Sequence, residues 1–391
     1  MSVARLQNRK AARSRPAASV FWRRRLTALA IAAVAVGGLG YSIANLLGGD
    51  EGPSGPAPQT LKKAAWGLTE HNGESLFPKY RDLGIGLFQN QARWDAIATR
   101  RPRNPTDPND PAYVWPTYLN QSIRQARKHG MEVALQVIGT PRWASGSKIW
   151  NDAPRDPSDY GDFAAAIAER YPNVRLWMVW GEPNGKRAFH PVVDAPPTNR
   201  TKLTPAQARA PRIYAQMLDS AYRAFKSVDR RNLVIGGNTF LGAGHPVIRP
   251  YQWLRYLRLP SGRPPRLDMW GHNPYSYRKP YLENPPSPNG RIDFSDLGRL
   301  AAALDKTFPG PPKKLFLSEF GIPTEEDADF QFHVSDDVAV NWVQAAFKIV
   351  REWDRIFTLG WSVAVDTEDN PQGLMHDDLS PKPVYDAFKE G

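Results

Sequence analysis

The sequence predicts a (β/α)8 barrel, in which eight parallel strands close into a cylinder and helices surround it. From about residue 64 onward, short apolar runs typical of buried strands alternate with amphipathic segments typical of helices. Eight such units fit into roughly 330 residues, which suits a single barrel with insertions better than a doubly wound sheet of two domains. Three Pro-rich stretches, at 101–111, 186–205 and 278–291, each follow a strand and precede a helix. They should therefore lie at the carboxyl ends of the strands and wall a cleft there.

The predicted strands are rich in β-branched and aromatic residues and are too short for ordinary helices. In chain order they are 64–70, 85–90, 132–138, 174–184, 233–237, 267–272, 314–319 and 357–363. The fourth, VRLWMVWGEPN, has the apolar content of a strand buried on both faces, and Gly181 and Pro183 end it.

The predicted helices are segments in which apolar residues recur every three or four positions. They lie at 116–129, 159–171, 206–228, 294–307 and 335–353. Asp159 and Ser335 are predicted N-caps, because their side-chain oxygens can accept a hydrogen bond from a backbone N–H of the first turn.

The segment before the barrel is predicted to be a membrane anchor followed by a tether. Leu26 to Leu47 is an uncharged run of 22 residues, long enough to cross a ~30 Å hydrocarbon core. The basic segment 1–25 should lie in the cytoplasm, with the rest of the chain outside the cell membrane. Residues 48–63 are expected to be a flexible linker, since they are mostly small and polar, and residues 64–391 to form the barrel. The alternative is a cleavable signal peptide, with a site at Ser42 and Ala44, which would give a secreted protein.

Charge and composition exclude several classes of function. The formal net charge is +12, but eight positive charges lie in the first 25 residues, which leaves +4 for the remainder. We therefore expect no nucleic-acid binding. The chain has no cysteine, which excludes disulfides and thiol catalysis. It lacks the HExxH and GxxxxGK[ST] motifs and a complete dinucleotide fingerprint, so neither a metal nor a cofactor is expected.

Two glutamates stand at the ends of predicted strands. Glu182 follows the fourth strand and Glu319 lies in LFLSEFG of the seventh. These strand ends face each other across the mouth of an eight-stranded barrel. One carboxyl group could protonate the leaving oxygen of a glycosidic bond while the other attacks or stabilises the anomeric carbon. A separation of about 5–5.5 Å would give retention of configuration and ~6.5–9.5 Å inversion, and the sequence leaves both open. Trp180 gives Glu182 the apolar setting that a general acid requires.

The motifs around these glutamates resemble those of the clan A glycoside hydrolases, nearest to families 39 and 5. WGEPN (180–184) is similar to the clan's WNEPN, SEFG (318–321) to its strand-seven motif, and GTPRWAS (139–145) to the strand-three run near families 5 and 39. HNPY (272–275) and the closing GLMHDDLSPKPVYDAF (373–388) extend the likeness over all eight units. The resemblance implies a retaining enzyme, with Glu182 as acid/base and Glu319 as nucleophile. Its expected substrate is an extracytoplasmic polysaccharide or oligosaccharide.

The same resemblance implies four further contacts to sugar. His272 and Tyr275 would lie at the floor of the −1 sugar site, with Tyr275 hydrogen-bonded to the nucleophile. Trp361 and Trp143 would be platforms on which the apolar face of a pyranose stacks. Each of the four could instead be a packing residue, and Trp180 is expected to pack rather than to contact sugar.

Two departures from the family pattern concern the same site. Gly181 stands where the family has an asparagine that hydrogen-bonds the sugar 2-hydroxyl, and Gln89 stands where a strand-two arginine is often found, with Arg93 a turn further on. Loss of such contacts weakens transition-state binding, and Asn184 or Asn238 are predicted to compensate. The departures leave a second interpretation open, a catalytically impaired barrel that binds a cell-envelope glycan.

Overall fold

A computed structural model of the chain describes residues 59–195, 198, 201–242, 247–325, 332–367 and 370–391. The predicted cytoplasmic segment (1–25), the membrane anchor (26–47) and residues 48–58 of the linker lie outside the described residues. Across the ranges that are described, no helix has the length and apolar character to cross a membrane.

Eight parallel strands close into a barrel, which confirms the predicted fold class. The strands are β1 (Thr60–Trp66), β2 (Glu70–His71), β3 (Glu74–Ser75), β4 (Ile85–Arg93), β5 (Glu132–Ile138), β6 (Leu176–Val179), β7 (Leu233–Phe240), β8 (Met269–Asn273), β9 (Lys314–Phe320) and β10 (Ile356–Trp361). The barrel runs from β1 through β4 and on in chain order to β10, which pairs back onto β1. Strands β2 and β3 form a separate antiparallel pair. The fourth barrel strand is therefore β6 and the seventh is β9.

Helices follow the strands in the alternation that the sequence predicted. They are α1 (Phe77–Asp82), α2 (Trp94–Ile97), α3 (Thr117–Lys128), α4 (Arg142–Ser145), α5 (Pro157–Arg170), α6 (Arg209–Val228), α7 (Pro250–Tyr256), α8 (Leu297–Thr307), α9 (Asp336–Glu352) and α10 (Pro383–Glu390). Short 3-10 turns occupy Pro288–Gly290 and Phe294–Asp296. All five predicted helical segments are helical, with ends shifted by up to three residues.

The predicted start of the barrel was wrong by four residues. Strand β1 covers Thr60–Trp66 rather than 64–70, so residues 60–63 belong to the sheet and not to the linker. The reason is Lys63, which is buried although lysine ordinarily marks a solvated segment. Its Nζ donates to the carbonyl oxygens of Lys389 at 2.8 Å and Leu83 at 3.3 Å, which offsets the cost of burying the amine.

One of the two predicted helix caps was also wrong. Asp156, not Asp159, is the N-cap of α5, and its carboxylate accepts from the backbone N–H of Ser158 at 2.9 Å. Pro157 follows at the first helical position, where a missing N–H costs nothing. Ser335 does precede α9, but its side chain makes no capping hydrogen bond.

The barrel interior changes from apolar to polar along the strand direction. Its lower part is a cluster formed by Ala64, Trp66, Leu87, Ala134, Leu176, Met178, Ile235, Met269 and Phe316. Two and four residues after Leu87, the same face of β4 carries Gln89 and Gln91. Gln136, on β5, is paired in register with Gln91, and Asn273 ends β8. A layer of buried amides therefore lies under the mouth of the barrel.

Candidate active site

Glu182 and Glu319 both lie at the carboxyl end of the barrel with partly exposed side chains. Glu319 is the penultimate residue of β9, and Glu182 lies three residues beyond β6. The backbone of Trp180 and Glu182 is left-handed, with φ of 64° and 48°, a conformation that bulky side chains rarely adopt. Such strain persists only where the surroundings enforce it. Here the Glu182 N–H donates to the carbonyl oxygen of Asn238 at 2.9 Å, and the indole of Trp180 donates to that of Ala188 at 2.9 Å.

The side chain of Asn273 contacts both glutamates. Its Nδ2 donates to Oε1 of Glu182 at 2.9 Å, and its Oδ1 accepts from Oγ of Ser318 at 2.6 Å, which fixes the orientation of the amide. The same side chain lowers the pKa of Glu319, so it also lies near that carboxyl. One amide from β8 therefore lies next to the side chains of both Glu182 and Glu319.

Neutral donors surround Glu319. The hydroxyl of Tyr275 donates to its Oε2 at 3.2 Å, the contact that the resemblance implied. Burial raises the pKa of Glu319 to about 7, and the hydrogen bonds from Tyr275 and Asn273 act in the opposite direction. Burial and the negative charge of Glu319 raise the pKa of Tyr275, so the phenol remains a donor. Near neutral pH, Glu319 therefore populates both its protonated and its ionised form.

His272 is a buried packing residue and not the predicted floor of the sugar site. Its Nδ1 is hydrogen-bonded to Oγ1 of Thr239 at 2.8 Å and its Nε2 to the carbonyl oxygen of Ile292 at 3.0 Å. Burial lowers the pKa of the imidazole to about 4, so the ring is neutral. It ties the loop after β8 to β7.

The two predicted sugar platforms also have protein partners. Trp361 is 1 % exposed, donates from Nε1 to the carbonyl oxygen of Gln372 at 2.8 Å, and packs edge-on against Phe388 of α10. Its ring therefore belongs to the layer between strands and helices. Trp143 donates to a backbone carbonyl at 2.7 Å, and the guanidinium of Arg101 covers its ring at 4.6 Å. The Trp361 ring is closed off by the protein, whereas Trp143 is partly exposed and its role as a sugar platform stays a prediction.

The side chains of the two asparagines predicted to compensate for Gly181 form hydrogen bonds with backbone groups. Asn184 is fully buried, donates to the carbonyl oxygens of Phe240 and Ile248 at 3.0 Å each, and accepts from the Phe240 N–H at 2.8 Å. Asn238 is also buried and donates to the carbonyl oxygen of Trp180 at 2.9 Å. Their role is to hold the turn that follows β6.

Gln136 is the site residue that the sequence reasoning missed. A Cβ placed on Gly181 would lie 2.8 Å from its Oε1 and 2.9 Å from its Nε2. Gln91 donates to the same Oε1 at 2.9 Å, which assigns that atom as the acceptor and Nε2 as the donor. Nε2 donates to no other described residue. The Gln136 amide thus fills the space beside Glu182 that a side chain at position 181 would take. The signal in the sequence was a glutamine inside the otherwise apolar strand EVALQVI.

Neither strand-two candidate supplies a cation to Glu319. Gln89 is fully buried and donates to the carbonyl oxygen of Ser318 at 2.9 Å. Arg93 is bound bidentately by Asp95 at 2.7 and 2.8 Å, and it stacks on Trp150 at 4.7 Å. The raised pKa of Glu319 is consistent with its neutral donors.

No protein-family model matches the sequence, and no curated protein matches it. Solved structures do match its fold. A family 39 glycoside hydrolase from the gut symbiont Bacteroides cellulosilyticus WH2 superposes with a TM-score of 0.58 at 16 % identity, over 85 % of this chain and 63 % of its own. A glucosidase from Croceicoccus marinus gives 0.58 at 20 % identity, over 85 % and 67 %. A monomeric beta-xylosidase from Caulobacter crescentus CB15 gives 0.57 at 18 % identity, over 86 % and 68 %.

The present chain spans slightly less than two thirds of the Bacteroides enzyme, so that protein contains structure without a counterpart here. At these identities the likeness concerns the fold alone. At that level it confirms the predicted resemblance to the (β/α)8 glycoside hydrolases near family 39.

Proposed function

We propose that the chain is a retaining glycoside hydrolase that cleaves an extracytoplasmic polysaccharide or oligosaccharide. The observation that carries this proposal is the single Asn273 amide in contact with both glutamates. An amide that lies next to both carboxyl groups supports a closely spaced pair, in which one carboxylate attacks directly, over the wider pair that accommodates a water.

Each glutamate then has one role in a double displacement. Ionised Glu319 attacks the anomeric carbon while protonated Glu182 donates its proton to the glycosidic oxygen, so the leaving group departs as an alcohol. Glu182, now ionised, takes a proton from water, which attacks the glycosyl-enzyme and releases Glu319 as a carboxylate. Tyr275 and Asn273 favour the ionised form of the nucleophile at the start of each cycle.

The main argument against catalysis is that position 181 lacks the family's asparagine, and Gln136 places an amide in the same space. The asparagine expected at position 181 would give an amide donor to the sugar 2-hydroxyl, a contact that strengthens in the transition state. We infer that Nε2 of Gln136 provides this donor from the neighbouring strand. Gly181 leaves room for this amide, because a Cβ there would lie 2.8 Å from its Oε1 and 2.9 Å from its Nε2.

The second candidate function is a barrel that binds a cell-envelope glycan without cleaving it. The observation in its favour is that Glu319 has a pKa of about 7, so part of the protein lacks an ionised nucleophile at neutral pH. Both functions predict glycan binding, so only turnover of the glycan distinguishes them.

The test is a panel of aryl glycosides and polysaccharides, beginning with β-xylosides and with glucosides of both anomers because two proteins of similar fold are named as a beta-xylosidase and a glucosidase. Glu319→Gln should abolish turnover. Glu182→Gln should spare aryl glycosides whose leaving groups need no proton, and azide should restore its second step. Glu132→Gln, an exposed glutamate where β5 begins, is the matched control. Glycan binding without turnover across the panel would favour the second function.

We also propose that residues 26–47 anchor the protein in the cell membrane, with secretion after signal cleavage as the alternative. The uncharged run and its basic flank support the anchor. Strand β1 begins at Thr60, at the end of the barrel opposite the glutamates, so the tether would leave the mouth facing away from the bilayer. N-terminal sequencing of the membrane-bound and soluble fractions distinguishes the two possibilities.

A further inference from the structure

The lower end of the barrel, opposite the two glutamates, is strongly basic. It consists of the seven turns that connect a helix to the next barrel strand, each taken from the last five residues of the helix to the first residue of the strand. They are 78–85, 124–132, 166–176, 224–233, 252–269, 303–314 and 348–356. These turns contain 20 Lys or Arg and eight Asp or Glu, a net charge of +12. Residues 26–391 carry only +4 in total, so the rest of that segment carries −8.

Helix dipoles explain only part of this excess. The carbonyl end of a helix carries about half a negative charge and attracts Lys and Arg. Seven such ends amount to about −3.5, against a side-chain charge of +12. Arg124, Lys128 and Arg230 are exposed, and none of the three forms an ion pair with another described residue. Most of the positive charge at this end is therefore available to an anionic partner.

A cleft between the ends of α3 and α5 concentrates these cations. Its volume is about 470 Å³, and the exposed side chains of Arg124, Arg127, Lys128 and Arg170 line it. No acidic residue is among the residues that form its wall. Guanidinium groups bind phosphate oxygens through paired N–H donors, and the ammonium of a lysine adds a point charge. The cleft therefore has the chemistry of a phosphate site.

The chain enters the barrel beside this cleft. The Nε2 of Gln59 donates to the carbonyl oxygen of His129 at 2.9 Å and to that of Ile85 at 3.0 Å. His129 directly follows Lys128, one of the cations of the cleft. Residues 48–58 separate Gln59 from the predicted membrane anchor. A segment of that length reaches at most ~40 Å, and a flexible one spans ~20 Å.

We propose that the lower end of the barrel docks on anionic lipids of the membrane that holds the anchor, with lipid phosphates bound in the cleft. The charges of the two surfaces are complementary, and the short tether raises the effective concentration of the face at the bilayer. Docking would turn the mouth outward, toward glycan chains rather than toward sugars at the lipid surface. This inference rests on the proposed membrane anchor and is independent of the hydrolytic mechanism.

The experiment measures how close the lower end lies to the bilayer in the full-length protein. The chain has no cysteine, so one introduced cysteine carries a single fluorescent label. Ser261→Cys places the label on an exposed turn of the lower end, away from the tether, and Val114→Cys places it at the mouth. Energy transfer to a lipid-bound acceptor is recorded in bilayers of phosphatidylcholine, with and without phosphatidylglycerol.

Phosphatidylglycerol should raise the transfer from position 261 and leave the label at position 114 distant. High salt should reverse the effect, because it screens exposed charges. A cation near an anionic bilayer strengthens binding about fivefold. Neutralising the four cleft cations should thus lower the ratio of docked to free protein by ~100-fold or more. That variant combines Arg124→Gln, Arg127→Gln, Lys128→Gln and Arg170→Gln.

A matched control removes the same charge from the opposite end. It combines Arg142→Gln, Lys148→Gln, Lys202→Gln and Arg209→Gln, all exposed. This control should dock like the wild type. An equal loss in the two variants would overturn the inference, and so would transfer from position 261 that does not depend on phosphatidylglycerol. Cleft-dependent binding of a soluble acidic polysaccharide, with no response to the lipid, would also overturn it.

Failure of the anchor can be distinguished from failure of the docking face. Alkaline carbonate that releases the full-length protein from the vesicles would show that residues 26–47 do not anchor it. Co-sedimentation with phosphatidylglycerol vesicles then still tests the face, which stands if the cleft variant loses binding and the control keeps it. If the protein resists carbonate but the label at position 261 stays distant, the anchor stands and the docking inference fails.

Discussion

At the scale of single residues, the chemistry of the site depends on how Glu319 is kept ionised without a cation. Asn273 and Tyr275 are neutral, yet both donate to the carboxylate and favour its charged form. Burial acts against them and sets the pKa at about 7. The proposed nucleophile should therefore titrate within the working range of most enzymes.

Replacing Tyr275 by phenylalanine should move the acid limb of the pH profile. The rate falls on acidification because Glu319 must be ionised to attack, so the limb of kcat/KM should lie near pH 7. Removing the Tyr275 donor raises the pKa of Glu319 further, and the limb should shift to higher pH. A kcat/KM profile from pH 5 to 9 measures this shift, with the exposed Tyr281→Phe as control. An unmoved limb would mean that Tyr275 does not set the ionisation of the nucleophile.

Replacing Gln136 by alanine should impair hydrolysis only where the sugar carries a 2-hydroxyl. Loss of one preorganised donor typically lowers the rate by ~10²–10³-fold. A 2-deoxy glycoside cannot use the donor, so wild type and Gln136→Ala should cleave it with similar kcat/KM. The double variant Gln136→Ala, Gly181→Asn should recover part of the loss, and Gln216→Ala on the outer face of α6 is the control. Equal losses on both substrates would indicate a structural role for Gln136.

Sequence reasoning found the residues to which the proposed mechanism assigns the chemistry, but it did not predict the surroundings of several neighbours. Glu182, Glu319 and Tyr275 were predictable because motif and strand end together fix their positions. The burial of the Trp361 side chain was not predictable. The register of β10 against β9 shifts between Leu359 and Trp361, and such a shift changes the face of the sheet on which a side chain emerges. Gln136 was missed because its relation to Gly181 exists only across two paired strands.

At the scale of elements, the turn after β6 is the part that delivers Glu182. Asn238 of β7 donates to the carbonyl oxygen of the left-handed Trp180, and Asn184 at the end of the turn donates to the carbonyl oxygen of Ile248 in the loop before α7. These partners are far apart in the sequence, so the sequence does not show that the side chains of Asn184 and Asn238 hydrogen-bond to the backbone of this turn and its neighbours.

Asn184→Ala should therefore cost both stability and turnover. The substitution removes the hydrogen bonds of Asn184 to the backbone of Phe240 at the end of β7 and of Ile248, at a cost of about 2–3 kcal/mol in the free energy of unfolding. It should also lower kcat more than it changes KM, because the acid/base loses its orientation rather than its contact with substrate. Urea denaturation and steady-state kinetics measure the two effects. Asn341→Ala on the exposed face of α9 should change neither, and a stable, fully active Asn184→Ala would contradict the bracing role.

Element boundaries were predicted least well where a charged residue is buried. Lys63 made the start of β1 resemble a linker, and only its carbonyl partners on Leu83 and Lys389 explain its place in a strand. Leu83 lies 20 residues after Lys63 and Lys389 lies 326 residues after it, so no local pattern could indicate them.

At the scale of the whole molecule, alternation of strand and helix signals was sufficient for the fold. Eight units in the right order permit few arrangements other than a closed barrel, and the likeness to solved glycosidase structures agrees with that closure. The anchor at 26–47 stays a prediction, because it lies outside the described residues.

The raised pKa of Glu319 should make the whole protein less stable at alkaline pH. The pKa of Glu319 is raised from its ordinary value to about 7 in the fold, so its stabilising contribution is complete below the pKa of the unfolded chain, ~4.3. That contribution is lost as the pH rises through about 7. Glu319→Gln should thus be more stable than wild type at pH 8, and the difference should shrink toward pH 4.5. Urea denaturation at both pH values measures this difference, with Glu132→Gln as control. A difference that does not depend on pH would contradict the assigned pKa.

The central claim is that Glu319 forms a covalent glycosyl-enzyme within reach of Glu182, and trapping that intermediate tests it most directly. The protein would be incubated with activated 2-deoxy-2-fluoro glycosides of the sugars it turns over, then digested and analysed by mass spectrometry. Our account predicts one fluoroglycosyl group per chain, on the peptide that contains Glu319, and none on Glu319→Gln. Turnover of the parent sugars with inverted anomeric configuration, and no label on Glu319, would contradict it.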